Sequence, residues 1–159
     1  MQVRILAAVA AVMLLCVPAS AGTKIGDPTT FVRSLYAKLL TDRNYKTPED
    51  IYTTRLAALF ALEKRETESS PSRMQNNIWT DSADDWGIKT AKVKGEVVEG
   101  SKDRMVVTAE LKSKDRKEVL QFYFEKSKDG WKLDDARSLG QNTWTLSLML
   151  KYGWVSADQ

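Results

Sequence analysis

The spacing of hydrophobic residues divides the chain after residue 21 into a helical half and a strand-forming half. Apolar side chains recur with helical spacing from Asp27-Pro28 to about Leu40, and a second helical pattern follows Thr47-Pro48-Glu49-Asp50. Both starts combine a capping residue with a first-turn proline, which is typical of a helix N-terminus. Thr53 and Thr54 are further capping residues, so the second pattern is compatible with a short helix followed by a longer one.

From Ile88 onward the hydrophobic period changes to two, which is typical of strands with one buried face. The tripeptide Ser-Lys-Asp recurs at residues 101, 113 and 127, and its serine and aspartate favour turns. The sequence therefore predicts a four-stranded antiparallel meander. The apolar positions of its strands are Ala91, Val93 and Val97; Met105, Val107, Ala109 and Leu111; Leu120, Phe122 and Phe124; and Trp131 and Leu133.

A last apolar segment, Thr143 to Tyr152, predicts a closing helix with Asn142 as its cap and Gly153 as its stop. Helices grouped before an antiparallel meander indicate an α+β fold in which the helices pack against one face of the sheet. We therefore predict a single α+β domain at residues 22–159, with N-terminal helices, the meander and a C-terminal helix.

Residues 1–21 have the pattern of an export signal. Arg4 supplies a positive charge, residues 5–17 are uncharged and apolar, and Ala19-Ser20-Ala21 has the small-x-small form of a cleavage site. A membrane anchor is the alternative, but spanning a bilayer takes roughly 20 apolar residues and this run is shorter. We therefore predict cleavage after Ala21 and a periplasmic or secreted protein without a stable membrane anchor.

The composition excludes several kinds of chemistry. The chain has no histidine, and its one cysteine, Cys16, lies in the predicted signal after Leu15, where a lipoprotein signal needs a small residue. Residues 22–159 therefore offer no disulfide, no thiol catalysis, no histidine-based triad and no histidine- or cysteine-ligated metal. The net charge of +3 is small and does not favour nucleic acid as a partner. We predict no cofactor and no metal site.

Three motifs carry a resemblance to a known family. They are Phe31-Val32-x-x-Leu35-Tyr36 with Tyr52-Thr53-x-Arg55-Leu56-Ala57-Ala58-Leu59, then Asp84-Asp85-Trp86, then Asp129-Gly130-Trp131-Lys132-Leu133-Asp134-Asp135. Together they resemble DUF3828, a family of exported bacterial proteins catalogued as a domain of unknown function. The resemblance covers most of residues 22–159, and Ala136 departs from it where the last motif often has isoleucine. It implies the cone-shaped, NTF2-like and cystatin-like α+β fold, and it transfers no activity or catalytic residue.

The concave face of such a sheet is the predicted binding surface. We expect large aromatic side chains to line its ligand pocket, namely Trp79, Trp86, Phe122, Phe124 and Trp131. Trp79 and Trp86 lie in the least regular segment, residues 73–87, and their alternative role is to fill the core. Alternation predicts that Phe122, Phe124 and Trp131 form the inner wall, with Tyr123 on the other face.

The candidate catalytic residue is Asp135. Alternation places it on the inner face with Trp131 and Leu133, where apolar walls raise the pKa of a carboxyl group and suit it to act as a base. It is then the predicted inner acid, but an acid without a positioned partner supplies only part of a catalytic site. The alternative is an acid that bonds to backbone groups where the last strand meets its loop.

Other acidic residues have more ordinary interpretations. Asp81, Asp84 and Asp85 have oxygen ligands suited to calcium, but their spacing lacks the glycine and the alternating acids of a calcium loop, so we expect solvated loop acids or helix caps. The lysine-rich strand ends are interleaved with acids, which predicts a mixed solvated face. These acids are Glu96, Glu99, Glu110 and Glu118.

Three functions stay open at this point. The first is a non-catalytic periplasmic protein that binds another protein or a small ligand through the concave face of its sheet. The second is a small NTF2-like enzyme of the isomerase or hydrolase type, in which Asp135 is the general base and Tyr123 its partner. The third is an immunity or inhibitor protein. The lack of histidine, cysteine, phosphate-binding loops and nucleophile elbows favours binding over catalysis.

Overall fold

The computed structural model of the chain describes residues 22–84, 86–140 and 142–153. The predicted export signal, with Cys16, and Asp85 of the candidate acidic group therefore lie outside the described residues. Within the described part, no helix is both long and apolar enough to cross a bilayer.

The first helix begins where its capping signal predicts. Helix α1 spans Pro28–Thr41. The Asp27 carboxylate accepts a hydrogen bond from the backbone N–H of Thr30 at 2.6 Å, which satisfies one of the free donors at the helix start. The predicted cap, proline and extent of this helix are confirmed.

The second helical region divides into a short and a long helix, as the paired start signals predict. A 3₁₀ helix covers Glu49–Ile51 with Pro48, rather than the predicted Thr47, at its cap position. Helix α2 follows at Thr54–Glu66. The hydroxyl oxygen of its cap residue, Thr53, accepts a hydrogen bond from the Leu56 N–H at 3.2 Å.

The sheet contains five antiparallel strands in chain order, one more than predicted. The four predicted strands are present, and the Ser-Lys-Asp tripeptides lie at the three turns between them. The fifth strand is short and pairs with the end of the fourth, because Trp144 and Thr145 continue in extended conformation before the last helix begins. The strands are β1 Thr90–Val97, β2 Arg104–Lys112, β3 Lys117–Ser127, β4 Gly130–Ser138 and β5 Trp144–Thr145.

The closing helix, α3, spans Leu146–Tyr152. The prediction of Asn142 as its cap is wrong, because Thr145 holds the cap position after β5. Gly153 ends the helix at a φ of 76°, where glycine lacks the Cβ clash of other residues. The predicted stop is therefore confirmed.

One face of the sheet is buried under the helices. The core includes Val107, Ala109 and Leu111 of β2, and Leu120, Phe122 and Phe124 of β3. Helix α1 packs on β1 and β2, and α2 and α3 pack on β4. The α+β class and the helices packed against an antiparallel meander are thus as predicted.

A β-bulge in β4 places Asp135 on the face of the sheet opposite to the predicted one. The ladder pairs Tyr123 with Asp135 but Phe124 with Leu133, so Asp134 is the extra residue on β4. Beyond it, the inward position opposite Phe122 belongs to Ala136, which is buried. The prediction of Asp135 as the inner acid is wrong, because one inserted residue shifts the period-two alternation by one position.

The edge of β4 that faces away from β3 is covered by three separate segments. Ile25 forms an antiparallel bridge to Trp131, and Tyr52 forms a parallel bridge to Leu133. The far end of β4 pairs with β5. Within the described residues, β1 at the opposite margin pairs with β2 alone.

Candidate functional site

The aromatic residues predicted to line a pocket are largely core residues. Phe122 and Phe124 are fully buried and Trp131 is buried at the other end of the sheet, which agrees with the predicted inner wall. Trp79 is also buried, with its ring centre 4.6 Å from that of Phe122. Trp86 is half-buried and borders a small pocket of about 120 Å³ beside α1. That these five residues contact a ligand stays a prediction.

Asp81 is buried at the end of the sheet where β4 finishes. It is 1% exposed, and its carboxylate accepts hydrogen bonds from the Ser138 hydroxyl at 2.7 Å and the Trp144 indole N–H at 2.5 Å. Its backbone has a φ of 53°, which aspartate tolerates better than most residues. The prediction of a solvated loop acid or a helix cap is therefore wrong for Asp81.

Glu118 is the acid that faces the core in place of Asp135. It is 1% exposed and lies on the same face of β3 as Leu120, so the prediction of a solvated glutamate is wrong. Its Oε1 accepts a hydrogen bond from Arg116 Nε at 2.8 Å, while its Oε2 has no hydrogen-bond partner among the described residues. A Cβ built on Gly140 would lie 1.5 Å from Oε2, so the carboxylate occupies the space that a side chain at position 140 would need.

Arg116 connects Glu118 on β3 to the irregular segment before the sheet, which contains Asp81 and Trp86. Besides its bond to Glu118, it donates from Nη2 to the backbone carbonyl oxygen of Asp81 at 2.9 Å, and its guanidinium carbon lies 4.7 Å from the centre of the Trp86 ring. We call Asp81, Arg116, Glu118, Ser138 and Trp144 the buried acid cluster. Through the bonds of Asp81 to Ser138, Trp144 and Arg116, the cluster fastens the segment to the sheet.

Asp134, the bulged residue, holds the start of α2. Its carboxylate accepts hydrogen bonds from Thr53 Oγ1 at 2.8 Å, Arg55 Nε at 3.0 Å and Arg55 Nη2 at 2.9 Å. Burial by itself raises the pKa of Asp134, but the hydrogen bonds from Arg55 and Thr53 outweigh it and hold the pKa below the usual value of 3.8.

Asp135 holds the start of α3 in a similar way. It accepts hydrogen bonds from the hydroxyl of Ser147 at 2.6 Å and from the backbone N–H groups of Ser147 and Ala136 at 3.0 and 2.9 Å. Arg55 Nη2 lies 3.7 Å from its Oδ2. This geometry matches an acid that bonds to backbone groups where the last strand ends. We call Thr53, Arg55, Asp134, Asp135 and Ser147 the bulge cluster.

The bulge also brings Tyr123 opposite Asp135, the two residues considered for catalysis. The Tyr123 hydroxyl donates to Gln121 Oε1 at 3.0 Å. Burial raises the pKa of Tyr123, although the nearby Arg137 opposes this effect. The Asp135 carboxylate is already engaged by its three hydrogen bonds from Ser147 and Ala136. The pair therefore shares a face of the sheet without forming an acid–base couple.

A groove of about 520 Å³ runs along β4, β5 and α3. Three large apolar residues that border it are exposed: Leu139 by 45%, Leu148 by 53% and Tyr152 by 69%. Arg137 is the one charged residue in its lining among the described residues. Arg137 and Thr145 also border a depression of about 330 Å³ on the outer face, beside Asp135. The apolar groove therefore continues into a polar surface at Arg137.

The groove was not foreseen from the sequence, although part of its signal is readable. Helix α3 buries Leu146, Met149 and Leu150, yet Leu148 and Tyr152 leave its opposite side apolar as well. A short helix that is apolar on two sides either lies inside a core or exposes one side to a partner. The placement of Arg137 beside that helix depends on the bulge and on β5, which have no comparable signal.

Comparison of the chain with protein-family models, with curated proteins and with solved structures found no match. In the described part of the chain, no three acidic, histidine or cysteine side chains come together as metal ligands.

Proposed function

We propose that this chain is an exported, non-catalytic binding protein of NTF2-like fold, related to the DUF3828 family, that acts in the periplasm or outside the cell. Support comes from the groove along β4, β5 and α3. Soluble proteins rarely leave several large apolar residues exposed side by side without a partner to cover them. The groove volume of about 520 Å³ also lies in the range of small-molecule sites.

The groove replaces the helix-covered face of the sheet as the proposed binding surface. That face is filled by its own core, with the Phe122 ring packed on Trp79. The groove along β4, β5 and α3 is open to solvent. The bulge cluster holds β4 and the start of α3, which supply part of its lining. A ligand can therefore enter without any rearrangement of the core.

The acids of the chain argue against the enzyme alternative. Asp134 and Asp135 each accept several hydrogen bonds, Glu118 is buried, and Asp81 is buried behind Ser138 and Trp144 and bonded to both. General base catalysis needs an acid that reaches the substrate and exchanges protons near the working pH. Asp81, Glu118, Asp134 and Asp135 act as acceptors for structural hydrogen bonds instead.

The proposal is tested by isolating the protein from the periplasm of the bacteria that produce it and recording native mass spectra. We expect the wild-type protein to carry a bound small molecule, and the variant Leu148→Ser with Tyr152→Ser to lose it. Val97→Ser is the matched control, because Val97 is an exposed apolar residue on β1. A wild-type protein that carries nothing, or a double variant that keeps its ligand, would contradict the proposal. Retention of a second protein through the groove would instead identify a protein partner, and inhibition of that partner's activity would support the immunity or inhibitor function.

A further inference from the structure

Resting on the proposed function, we propose that the groove binds a free fatty-acid-type carboxylate, with its head group on Arg137 and its aliphatic chain along Leu139, Leu148 and Tyr152. The inference names a ligand class for the groove, and it follows from the single charged side chain in the described lining and from the exposed apolar side chains that border the groove.

Arg137 has donors to spare for such a head group. Its Nε donates to Gln121 Oε1 at 2.8 Å, and its guanidinium carbon lies 5.5 Å from the centre of the Tyr123 ring. No ion pair joins it to a carboxylate in the part of the chain that the structure describes. An arginine side chain has five N–H donors, and its planar fork matches both oxygens of a carboxylate.

The charges around Arg137 favour an anion as its partner. The neighbouring acids are engaged elsewhere: Glu125 pairs with Arg104 at 3.1 Å, and Asp134 pairs with Arg55 at 2.9 Å. Asp135 lies 3.7 Å from Arg55 Nη2 and accepts hydrogen bonds from Ser147 and Ala136. Among the described residues of this surface, Arg137 is therefore the arginine without an ion-pair partner.

The rest of the groove suits an unbranched apolar chain. Its lining beyond Arg137 consists of hydroxyl, glycine and large apolar residues, with Trp144 and Met149 forming the buried floor. A groove with one cation and no acid in its described lining is complementary to a molecule with one anionic group and an uncharged body. A single-chain carboxylate is the simplest molecule of that kind.

The test is isothermal titration of the full exported protein with decanoate, decanol and decyltrimethylammonium, each as monomers. We expect decanoate to bind one to one, and decanol about fivefold more weakly because it lacks the charge-assisted bonds. Decyltrimethylammonium should bind more weakly still. Affinity should rise about two- to fourfold for each added methylene between octanoate and dodecanoate, as expected for a chain that leaves water.

Two groove variants separate the head group from the chain. Arg137→Gln should weaken decanoate binding about fivefold and leave decanol unchanged, while Arg137→Lys, which keeps the charge but loses the planar fork, should fall between Arg137→Gln and the wild type. Leu148→Ser should weaken both ligands. Arg33→Gln on α1 and Val97→Ser on β1 are exposed controls that should change neither, and circular dichroism confirms that each variant is folded.

The outcomes distinguish the two proposals. Decanol binding as tightly as decanoate, or an Arg137→Gln variant with unchanged decanoate affinity, would overturn the carboxylate assignment and leave the groove as a binding site. A folded wild-type protein that binds none of the three decyl compounds would remove both the ligand class and the small-ligand groove. Concentration-dependent dimers that Leu148→Ser abolishes would identify a second copy as the occupant and overturn the inference.

Discussion

The buried acid cluster and the bulge cluster are built from nearly the same types of residue, but one is buried and the other lies near the surface. Each combines two acids, one arginine and one serine. In the first, Asp81 and Glu118 are 1% exposed. In the second, the side chains of Asp134 and Asp135 are 20 and 19% exposed, and that of Arg55 is 50% exposed. We therefore expect similar contacts to contribute differently to stability in the two clusters.

Burial changes the energetic role of each contact. A buried acid that loses a hydrogen-bond donor still carries the full desolvation penalty of its burial. Removal of any partner of Asp81 or Glu118 should therefore lower the free energy of unfolding. Near the surface, water replaces a lost donor, and the side-chain entropy of a long arginine offsets much of the attraction. We therefore expect the buried acid cluster to control stability and the bulge cluster to control the positions of α2 and α3.

The largest effect is expected from Asp81→Ala. The change leaves the Trp144 indole N–H and the Ser138 hydroxyl without their acceptor, and it places alanine at a φ of 53°. We expect a loss of about 3–4 kcal/mol in the free energy of unfolding, measured by urea denaturation at pH 7. The exposed Asp84→Ala should lose less than about 0.5 kcal/mol. Equal effects of the two substitutions would show that Asp81 is not buried in this way.

A somewhat smaller effect is expected from Arg116→Met. The substitution keeps much of the side-chain volume but leaves Glu118 as a buried acid without its cation, at a cost of about 2–3 kcal/mol. Adding Glu118→Gln to this variant should restore part of the loss, because the buried charge is then absent. Denaturation of the two single variants and the double variant measures the coupling. Additive losses would contradict a direct Arg116–Glu118 interaction.

The smallest effect is expected from Arg55→Ala in the bulge cluster, about 0.5–1 kcal/mol at pH 7 and low salt. The pKa of Asp134 is lowered in the folded protein from 3.8, so its contribution is present above that value and is lost as the pH falls below it. The difference between wild type and Arg55→Ala should therefore shrink from pH 7 to pH 3. A difference that grows in acid would show that Arg55 does not act through the ionised carboxylate.

The elements that carry their own local signals were predictable. Asp27 with Pro28 begins α1, Thr53 begins α2, and Gly153 ends α3, because caps and stops act through adjacent backbone groups. The three Ser-Lys-Asp turns fix the first four strands for the same reason. Such signals need no knowledge of distant residues.

The side chains of the candidate sites depend on contacts that the sequence does not display. The bulge at Asp134 inverts the alternation that predicted an inward Asp135, and no residue type marks it. Glu118 lies two residues before Leu120, so the period-two alternation of β3 places it on the same inward face. The lysines around it instead favoured the prediction of a solvated glutamate. The burial of Asp81 depends on Ser138 and Trp144, which lie more than fifty residues away. Long-range pairing, rather than local preference, decides these positions.

The three segments along the outer edge of β4 determine how copies of this protein can associate edge to edge. The single-residue bridges of Ile25 and Tyr52 and the two-residue β5 are too short to serve as a template for another strand. At the opposite margin, β1 has eight residues and lysines at positions 92 and 94. Within the described residues, β1 is therefore the sheet edge that is long enough to pair with a strand of another copy, and its two lysines oppose such pairing.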